Sequence, residues 1–160
     1  MHAKLIETYD NDPEAFRMAY AFVEAGDWVV WALCGKMLPL SEHFYRSSQQ
    51  ASYKSCVINE KQMVNEAILK KIRPNLNEFD LKKLHQQNPF RFARPGTAVG
   101  MLQGTSIPIS AASIDAHACA FGLGAYKKGR FVAVVGTSGC FMLSSSAIKK
   151  TNRRDWWVYP

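Results

Sequence analysis

Apolar residues recur at helical spacing in the first quarter of the chain. The sequence Asp12-Pro13-Glu14 is a helix start signal, because an aspartate suits the N-cap and a proline the first helical position. One apolar face then follows, formed by Phe16, Ala19, Tyr20 and Val23. After Gly26, Asp27 can cap a second helix from Trp28 to Cys34 that ends at Gly35. We predict two helices whose apolar residues are packed.

The next part of the chain has a less regular pattern. Residues 39–58 show no clean period but include two aromatic and two basic side chains, which predicts a binding loop: Tyr45, Arg46, Tyr53 and Lys54. Helical spacing returns from Glu60 to Ile72, where Pro74 closes the helix, and a shorter helix is predicted from Phe79 to His85. Residues 89–96 are predicted to be a connection.

Short apolar runs replace the helical pattern after Gly96. Strands are predicted at Ala98–Leu102 and Ile107–Ser113, and the small residues of Ala116–Gly122 suit a tightly packed helix that begins at Asp115. Two further strands, Phe131–Val135 and Cys140–Leu143, flank a glycine-rich turn.

The composition limits the classes of protein to which the chain can belong. The 160 residues are 48% hydrophobic, enough for the core of one domain. No apolar run approaches the ~20 residues that span a bilayer, and no signal peptide is evident, so we expect no membrane association and no export. The four cysteines form no CxxC pair, which predicts reduced thiols: Cys34, Cys56, Cys119 and Cys140. A net charge of +7 raises a nucleic-acid hypothesis, but without a binding motif it favours solubility and an anionic substrate.

Two features carry candidate chemistry. Gly136-Thr137-Ser138-Gly139 lies between predicted strands, where backbone amides and hydroxyls can hold phosphate, although a plain hairpin also needs glycine. Asp115 lies where a strand leads into a helix. It is either an N-cap or a carboxylate that faces a crevice and accepts a proton during phosphoryl transfer.

Together these features resemble the FGGY carbohydrate kinases. The resemblance rests on the segment from Ile107 to Ala118, with its Asp115-Ala116-His117 motif, and on the Gly-Thr-Ser turn that follows. The Asp-Ala-His form is typical of the L-ribulokinases. Phe22 to Trp31 is similar to their Glu-Ala-x-Asp-Trp helix, and Arg46-Ser47 with Tyr53-Lys54 is similar to their substrate loop. The resemblance covers about residues 5–145.

The resemblance implies an activity and a set of roles. ATP would phosphorylate the 5-hydroxyl of L-ribulose with Mg²⁺ between the phosphates, in the cytoplasm. Asp115 would be the catalytic base and contact the sugar together with Lys54. The ATP phosphate would be held by three residues of the turn: Gly136, Thr137 and Ser138. No metal-ligating residue of the chain is implied.

The implied fold is a partial ribonuclease-H-like (actin-like ATPase) α/β fold. Residues 1–124 would form the rear of the first lobe, 125–146 the opening hairpin of the second lobe, and 147–160 a divergent tail. The family's Asp-x-Gly-Thr phosphate hairpin has no counterpart in the sequence, so we expect the isolated chain to be inactive. The alternatives are an FGGY kinase for another sugar, a decayed non-catalytic piece, and an interaction or nucleic-acid-binding protein. The oligomeric state is left open.

Overall fold

A computed structural model describes residues 2–55, 66–75, 77 and 91–146. The chain divides into two compact units, residues 1–112 and 113–160, and each is considered by itself. The described residues form seven helices and three two-stranded sheets, so the α/β class is confirmed. The predicted lobe boundary near residue 124 and the ribonuclease-H-like assignment stay predictions.

The first unit begins with two helices, α1 (His2–Asn11) and α2 (Pro13–Met18). The Asp12 side chain accepts a hydrogen bond from the Ala15 N–H at 2.9 Å, so the predicted N-cap is confirmed. The predicted continuation to Val23 is wrong, because the backbone becomes extended at Ala19 and ends the helix. Phe16 is fully buried, with its ring 5.2 Å from that of Tyr9 and 5.3 Å from that of Phe22. The sequence pattern did not predict α1.

Helix α3 spans Ala25–Leu33 and begins three residues before the predicted start at Trp28. Glu24 occupies the N-cap position, while Asp27 is buried inside the first turn, so the prediction that Asp27 caps the helix is wrong. The helix ends before Gly35, whose φ of +86° confirms the predicted glycine stop. Trp28 and Val29 are nearly half exposed, which contradicts the prediction that every apolar residue here is packed.

Residues 39–58 are not the irregular loop that the sequence predicted. They contain α4 (Leu40–His43), β1 (Tyr45–Ser47) and the described helix α5 (Ser48–Ser55). Strand β1 pairs in parallel with β2 (Arg91–Ala93), which lies inside the predicted connection. Both strands have only three residues, and β1 buries a charged and a polar side chain, so no hydrophobic alternation marked them.

The predicted strand pair after Gly96 is confirmed, with shorter strands. Strand β3 (Ala98–Met101) pairs antiparallel with β4 (Pro108–Ser110). The sheet lies close to the end of α3, because a Cβ atom on Gly100 would be 2.6 Å from the Cys34 Sγ. Glycine is therefore required for this approach.

Helix α6 (Glu66–Ile72) confirms the part of the predicted Glu60–Ile72 helix that the structure describes. Residues 60–65 and the predicted helix Phe79–His85 lie outside the described residues. The chain after α6 is tied to α1 by an ion pair between the Arg73 guanidinium and the Asp10 carboxylate. This pair lowers the pKa of Asp10, because the hydrogen bonds from Arg73 favour the carboxylate.

The described part of the second unit contains α7 (Asp115–Gly122) and a hairpin of β5 (Phe131–Val135) and β6 (Gly139–Leu143). The strands pair in antiparallel register from Phe131 opposite Leu143 to Val135 opposite Gly139. Helix α7 packs against β5, where Ala120 and Val132 are buried. The predicted helix, strands and turn of this unit are confirmed.

Candidate functional site

Asp115 is the first residue of α7, and its side chain is exposed. Ile114 occupies the N-cap position, so the alternative that Asp115 is the N-cap is wrong. The Asp115 Oδ1 accepts a hydrogen bond from the N–H of Ala116 at 2.8 Å. The second carboxylate oxygen of this exposed residue can therefore meet a ligand from solvent.

His117 lies two residues after Asp115 in the same helical turn and is half-buried. Burial lowers the pKa of His117, and the negative charge of Asp115 acts in the opposite direction with a smaller effect. The imidazole is thus neutral near pH 7. A neutral His117 leaves the charge of Asp115 available to a substrate rather than bound in an ion pair.

The Gly-Thr-Ser segment forms the exposed turn between β5 and β6. The Gly136 N–H donates to the Ser138 carbonyl oxygen at 3.0 Å, which closes the turn. Within the part of the chain that the structure describes, the hydroxyls of Thr137 and Ser138 have no hydrogen-bond partner. Both hydroxyls are therefore available as donors to a ligand.

The turn between β3 and β4 provides a contrast. The Thr105 hydroxyl donates to the Leu102 carbonyl oxygen at 2.9 Å and accepts from the Ile107 N–H at 3.2 Å. Its hydrogen bonds are used inside its own turn, as is usual for a structural turn residue. The two hairpin turns therefore differ: the Thr105 hydroxyl is bonded within its own turn, whereas the hydroxyls of Thr137 and Ser138 have no partner among the described residues.

Lys54, the predicted sugar ligand, belongs to α5, and its side chain lies outside the described residues. It belongs to the first unit, whereas Asp115 and the Gly-Thr-Ser turn share the second. The structure brings Asp115 and the turn into one compact unit. That Lys54 converges with Asp115 on one crevice stays a prediction.

A cluster of buried polar side chains joins α3 to β1 and α5. Its members are at most 7% exposed: Glu24, Asp27, Arg46, Ser47 and Gln50. The Asp27 Oδ1 accepts a hydrogen bond from the Ser47 N–H at 3.0 Å. Sequence reasoning gave Asp27 a capping role and placed Arg46 in a predicted binding loop. It named Glu24 and Ser47 only within family motifs and did not single out Gln50. The available signal was the three-residue spacing of Glu24 and Asp27, which puts two acidic groups on one side of a helix start.

Arg46 is the buried cation of this cluster, at 1% exposure. Burial lowers its pKa, while the negative charges of Asp27 and Glu24 act to raise it. Its guanidinium lies 5.6 Å from the centre of the Phe92 ring on the adjacent strand β2. Two carboxylates and an aromatic face therefore compensate one buried charge.

A separate cavity of about 400 Å³ lies between the end of α3 and the β3–β4 hairpin. Apart from Cys34, His43, Gln103 and Thr105, its lining is apolar side chain or glycine. Burial raises the pKa of the Cys34 thiol, which opposes thiolate chemistry. The three described cysteines are free thiols.

Among the described residues there is no group of three or more His, Cys, Asp or Glu side chains that could hold a metal ion. Within the same ranges, every helix is too short or too polar to cross a bilayer.

Comparison with known proteins gives one consistent relationship. The chain is 27% identical over 157 residues to the ribulokinase of Mycolicibacterium smegmatis, a match covering 92% of this chain and 26% of that protein. It is 28% identical over 150 residues to the ribulokinases of Anoxybacillus flavithermus and Geobacillus thermodenitrificans, covering 89% of this chain and 25% of each relative. The chain is ribulokinase-like.

This relationship confirms the resemblance that the sequence motifs predicted. The ribulokinase-like chain spans about a quarter of the length of the curated relatives it matches. No family model matches the chain. No solved structure matches it.

Proposed function

We propose that this chain carries the catalytic base, a sugar ligand and one phosphate-binding turn of an ATP-dependent carbohydrate kinase. The substrate is L-ribulose, which is phosphorylated on its 5-hydroxyl in the cytoplasm, and the fold is part of the two-lobed ribonuclease-H-like architecture of the FGGY kinases. Similarity to ribulokinases over about nine-tenths of the chain supports the kinase class. Asp115 and the β5–β6 turn support the assignment of roles.

The β5–β6 turn is the observation that carries the proposal. The hydroxyls of Thr137 and Ser138 are unsatisfied among the described residues, and the N–H groups of such a turn are further donors. Donors that are fixed before the ligand arrives stabilise the charge on a transferring phosphoryl group. ATP supplies that group, and Mg²⁺ bound to it neutralises part of the phosphate charge.

Asp115 takes the role of general base. Its exposed carboxylate at the start of α7 accepts the proton of the 5-hydroxyl as the oxygen attacks the γ-phosphorus. Burial lowers the pKa of His117 and so favours its neutral form, which adds no positive charge beside the carboxylate. Lys54 on α5 orients the sugar through its oxygens.

Two measurements test the proposed function. The 160-residue chain by itself should show no ADP release that depends on L-ribulose, because its sequence lacks the Asp-x-Gly-Thr phosphate hairpin. A chimera in which these residues replace the matching quarter of the Mycolicibacterium smegmatis ribulokinase should phosphorylate L-ribulose in preference to D-ribulose and D-xylulose. A chimera that is folded but inactive on all three sugars contradicts the kinase assignment, and a preference for another sugar contradicts the substrate.

The phosphate-binding turn is tested in the same chimera. Replacing Thr137 with Val and Ser138 with Ala removes two donors and should raise the KM for ATP by about a hundredfold or more, since each hydrogen bond to a charged group contributes about 1.5–3 kcal/mol. The matched control is Thr105→Val, which alters a hairpin threonine whose hydroxyl is used internally. An unchanged KM in the double variant contradicts phosphate binding by this turn.

A further inference from the structure

The junction between β1 and α5 has no intervening loop, since β1 ends at Ser47 and α5 begins at Ser48. Ser47 is in the N-cap position of α5, and its Oγ accepts a long hydrogen bond from the Gln50 N–H at 3.4 Å. A strand that leads directly into a helix leaves few backbone angles to adjust. The interactions that fix the backbone of Ser47 therefore also fix the first turn of α5.

The group that holds Ser47 is Asp27, on the first turn of α3. Its Oδ1 accepts the Ser47 N–H at 3.0 Å, and the two residues are 1% and 0% exposed. Hydrogen bonds to a carboxylate are among the stronger ones in proteins, and burial excludes the water that would compete. Arg46, the residue before Ser47, supplies a positive charge that makes the buried carboxylate tolerable.

A second contact joins the same two helical turns. A Cβ atom on Gly26 would lie 2.5 Å from the Gln50 Nε2, so α3 approaches α5 as closely as a glycine permits. Gln50 itself is 5% exposed. Adjacent residues of α3, Gly26 and Asp27, thus contact the first turn of α5 at two points, one by close packing and one by a directed hydrogen bond.

We propose that Asp27 is a positioning residue for sugar binding, which acts by fixing the start of α5 and hence the place of residue 54 within that helix. A shift of one residue at the helix start rotates every later residue by about 100° and moves it by about 1.5 Å along the axis. The hydrogen bond from the Ser47 N–H to Asp27 prevents that shift. This inference rests on the proposed function, because it takes Lys54 to be the sugar ligand.

Amide hydrogen exchange in the 160-residue chain tests the anchoring step without any substrate. Asp27→Leu removes the acceptor at similar volume and should speed exchange at Ser47 and along α5 by about tenfold more than at Phe16 in α2, which reports opening of the whole unit. Asp27→Asn keeps an acceptor oxygen and should leave the exchange near that of the unmodified chain. Glu14→Gln, which alters an exposed first-turn carboxylate of α2, is the control.

An equal increase at Ser47 and Phe16 in Asp27→Leu overturns the proposal, because Asp27 would then only stabilise the unit. If Asp27→Leu does not fold, hydrogen exchange in Asp27→Asn alone tests whether Asp27 anchors Ser47. Slow exchange at Ser47 in Asp27→Asn supports the hydrogen bond. Fast exchange at Ser47 in Asp27→Asn shows that Asp27 acts only through its charge, which overturns the proposal.

Kinetics of the ribulokinase chimera test the consequence for the sugar. Asp27→Leu should raise the KM for L-ribulose by about tenfold and leave the KM for ATP unchanged. Asp27→Asn should leave the KM for L-ribulose close to that of the unmodified chimera. The variant Lys54→Met separates the positioning proposal for Asp27 from the proposed sugar-binding role of Lys54. If Lys54→Met raises this KM and Asp27→Leu does not, the positioning proposal alone is overturned. If Lys54→Met has no effect, the sugar role of Lys54 in the proposed function is wrong, and the positioning proposal fails with it.

Discussion

Gly26 brings α3 so close to Gln50 that a Cβ atom at position 26 would lie 2.5 Å from the Gln50 Nε2 and 3.1 Å from the Ala112 Cβ. Contacts of 2.5 Å to a Cβ atom do not occur in folded proteins, so any side chain there must displace a neighbour. Gln50 is 5% exposed, so its amide has little free space around it. The absence of a side chain at Gly26 therefore leaves the space that the Gln50 amide occupies.

Replacing Gly26 with Ala should destabilise the chain by about 1–3 kcal/mol, the usual cost of forcing an extra methyl group into a packed interior. Gly122 at the end of α7 is the matched control, because a Cβ atom there meets nothing within 4 Å. Gly122→Ala should stabilise the chain by ~0.4–1 kcal/mol by restricting the unfolded state. Urea unfolding of both variants measures the difference, and equal effects would contradict the close approach.

Replacing Arg46 with Met removes a buried cation and leaves the Glu24 and Asp27 carboxylates without its compensation. The free energy of unfolding should fall by about 3–5 kcal/mol, the usual cost of leaving buried charges without a compensating charge. Arg94→Met, at an exposed position just after β2, should change it by less than about 0.5 kcal/mol. A small loss in Arg46→Met would mean that the cluster is hydrated rather than buried.

The pKa of His117 should depend on the charge of Asp115. Burial holds this pKa below the ordinary value of 6.5 and Asp115 raises it, so Asp115→Asn should lower the pKa further. Titration of the His117 ring by NMR measures the change, and Asp115→Glu, which keeps the charge, is the control. A pKa that rises or stays constant in Asp115→Asn contradicts the interaction.

The His117 imidazole also makes the stability of the chain depend on pH. Because the folded pKa of His117 is below the unfolded value of about 6.5, the unfolded chain binds the proton first as the pH falls. The stabilising free energy from neutral His117 is therefore fully present above pH ~6.5. It is lost as the pH falls from ~6.5 to the pKa of His117 in the folded chain. His117→Gln should remove this part of the pH dependence in thermal unfolding.

Replacing Asp115 with Asn in the ribulokinase chimera should reduce turnover by about 10²–10⁴, the usual contribution of a general base. The melting temperature should barely move, since Asp115 is exposed and Ile114 occupies the N-cap position. Coupled ADP-release kinetics and a thermal melt measure both quantities. Turnover close to that of the unmodified chimera would defeat the catalytic role.

The sequence by itself determined most of the described part of the second unit. Asp115 before a run of small residues, and two apolar runs around Gly136, predicted α7, β5 and β6 because each element is set by local propensity and turn chemistry. The relationship to ribulokinases was also carried by short motifs that are readable without coordinates.

Only the tertiary structure decided the roles of Asp27 and Arg46. Local reasoning made Asp27 a helix cap, since an aspartate near a helix start normally caps it. In the fold its carboxylate instead accepts the N–H of Ser47, twenty residues away, and Arg46 is buried beside it. Strands β1 and β2 were missed for the same reason, because each has three residues and pairs with a segment more than forty residues distant. Contacts of that range leave no local period in a sequence, and so they become visible only when the chain is folded.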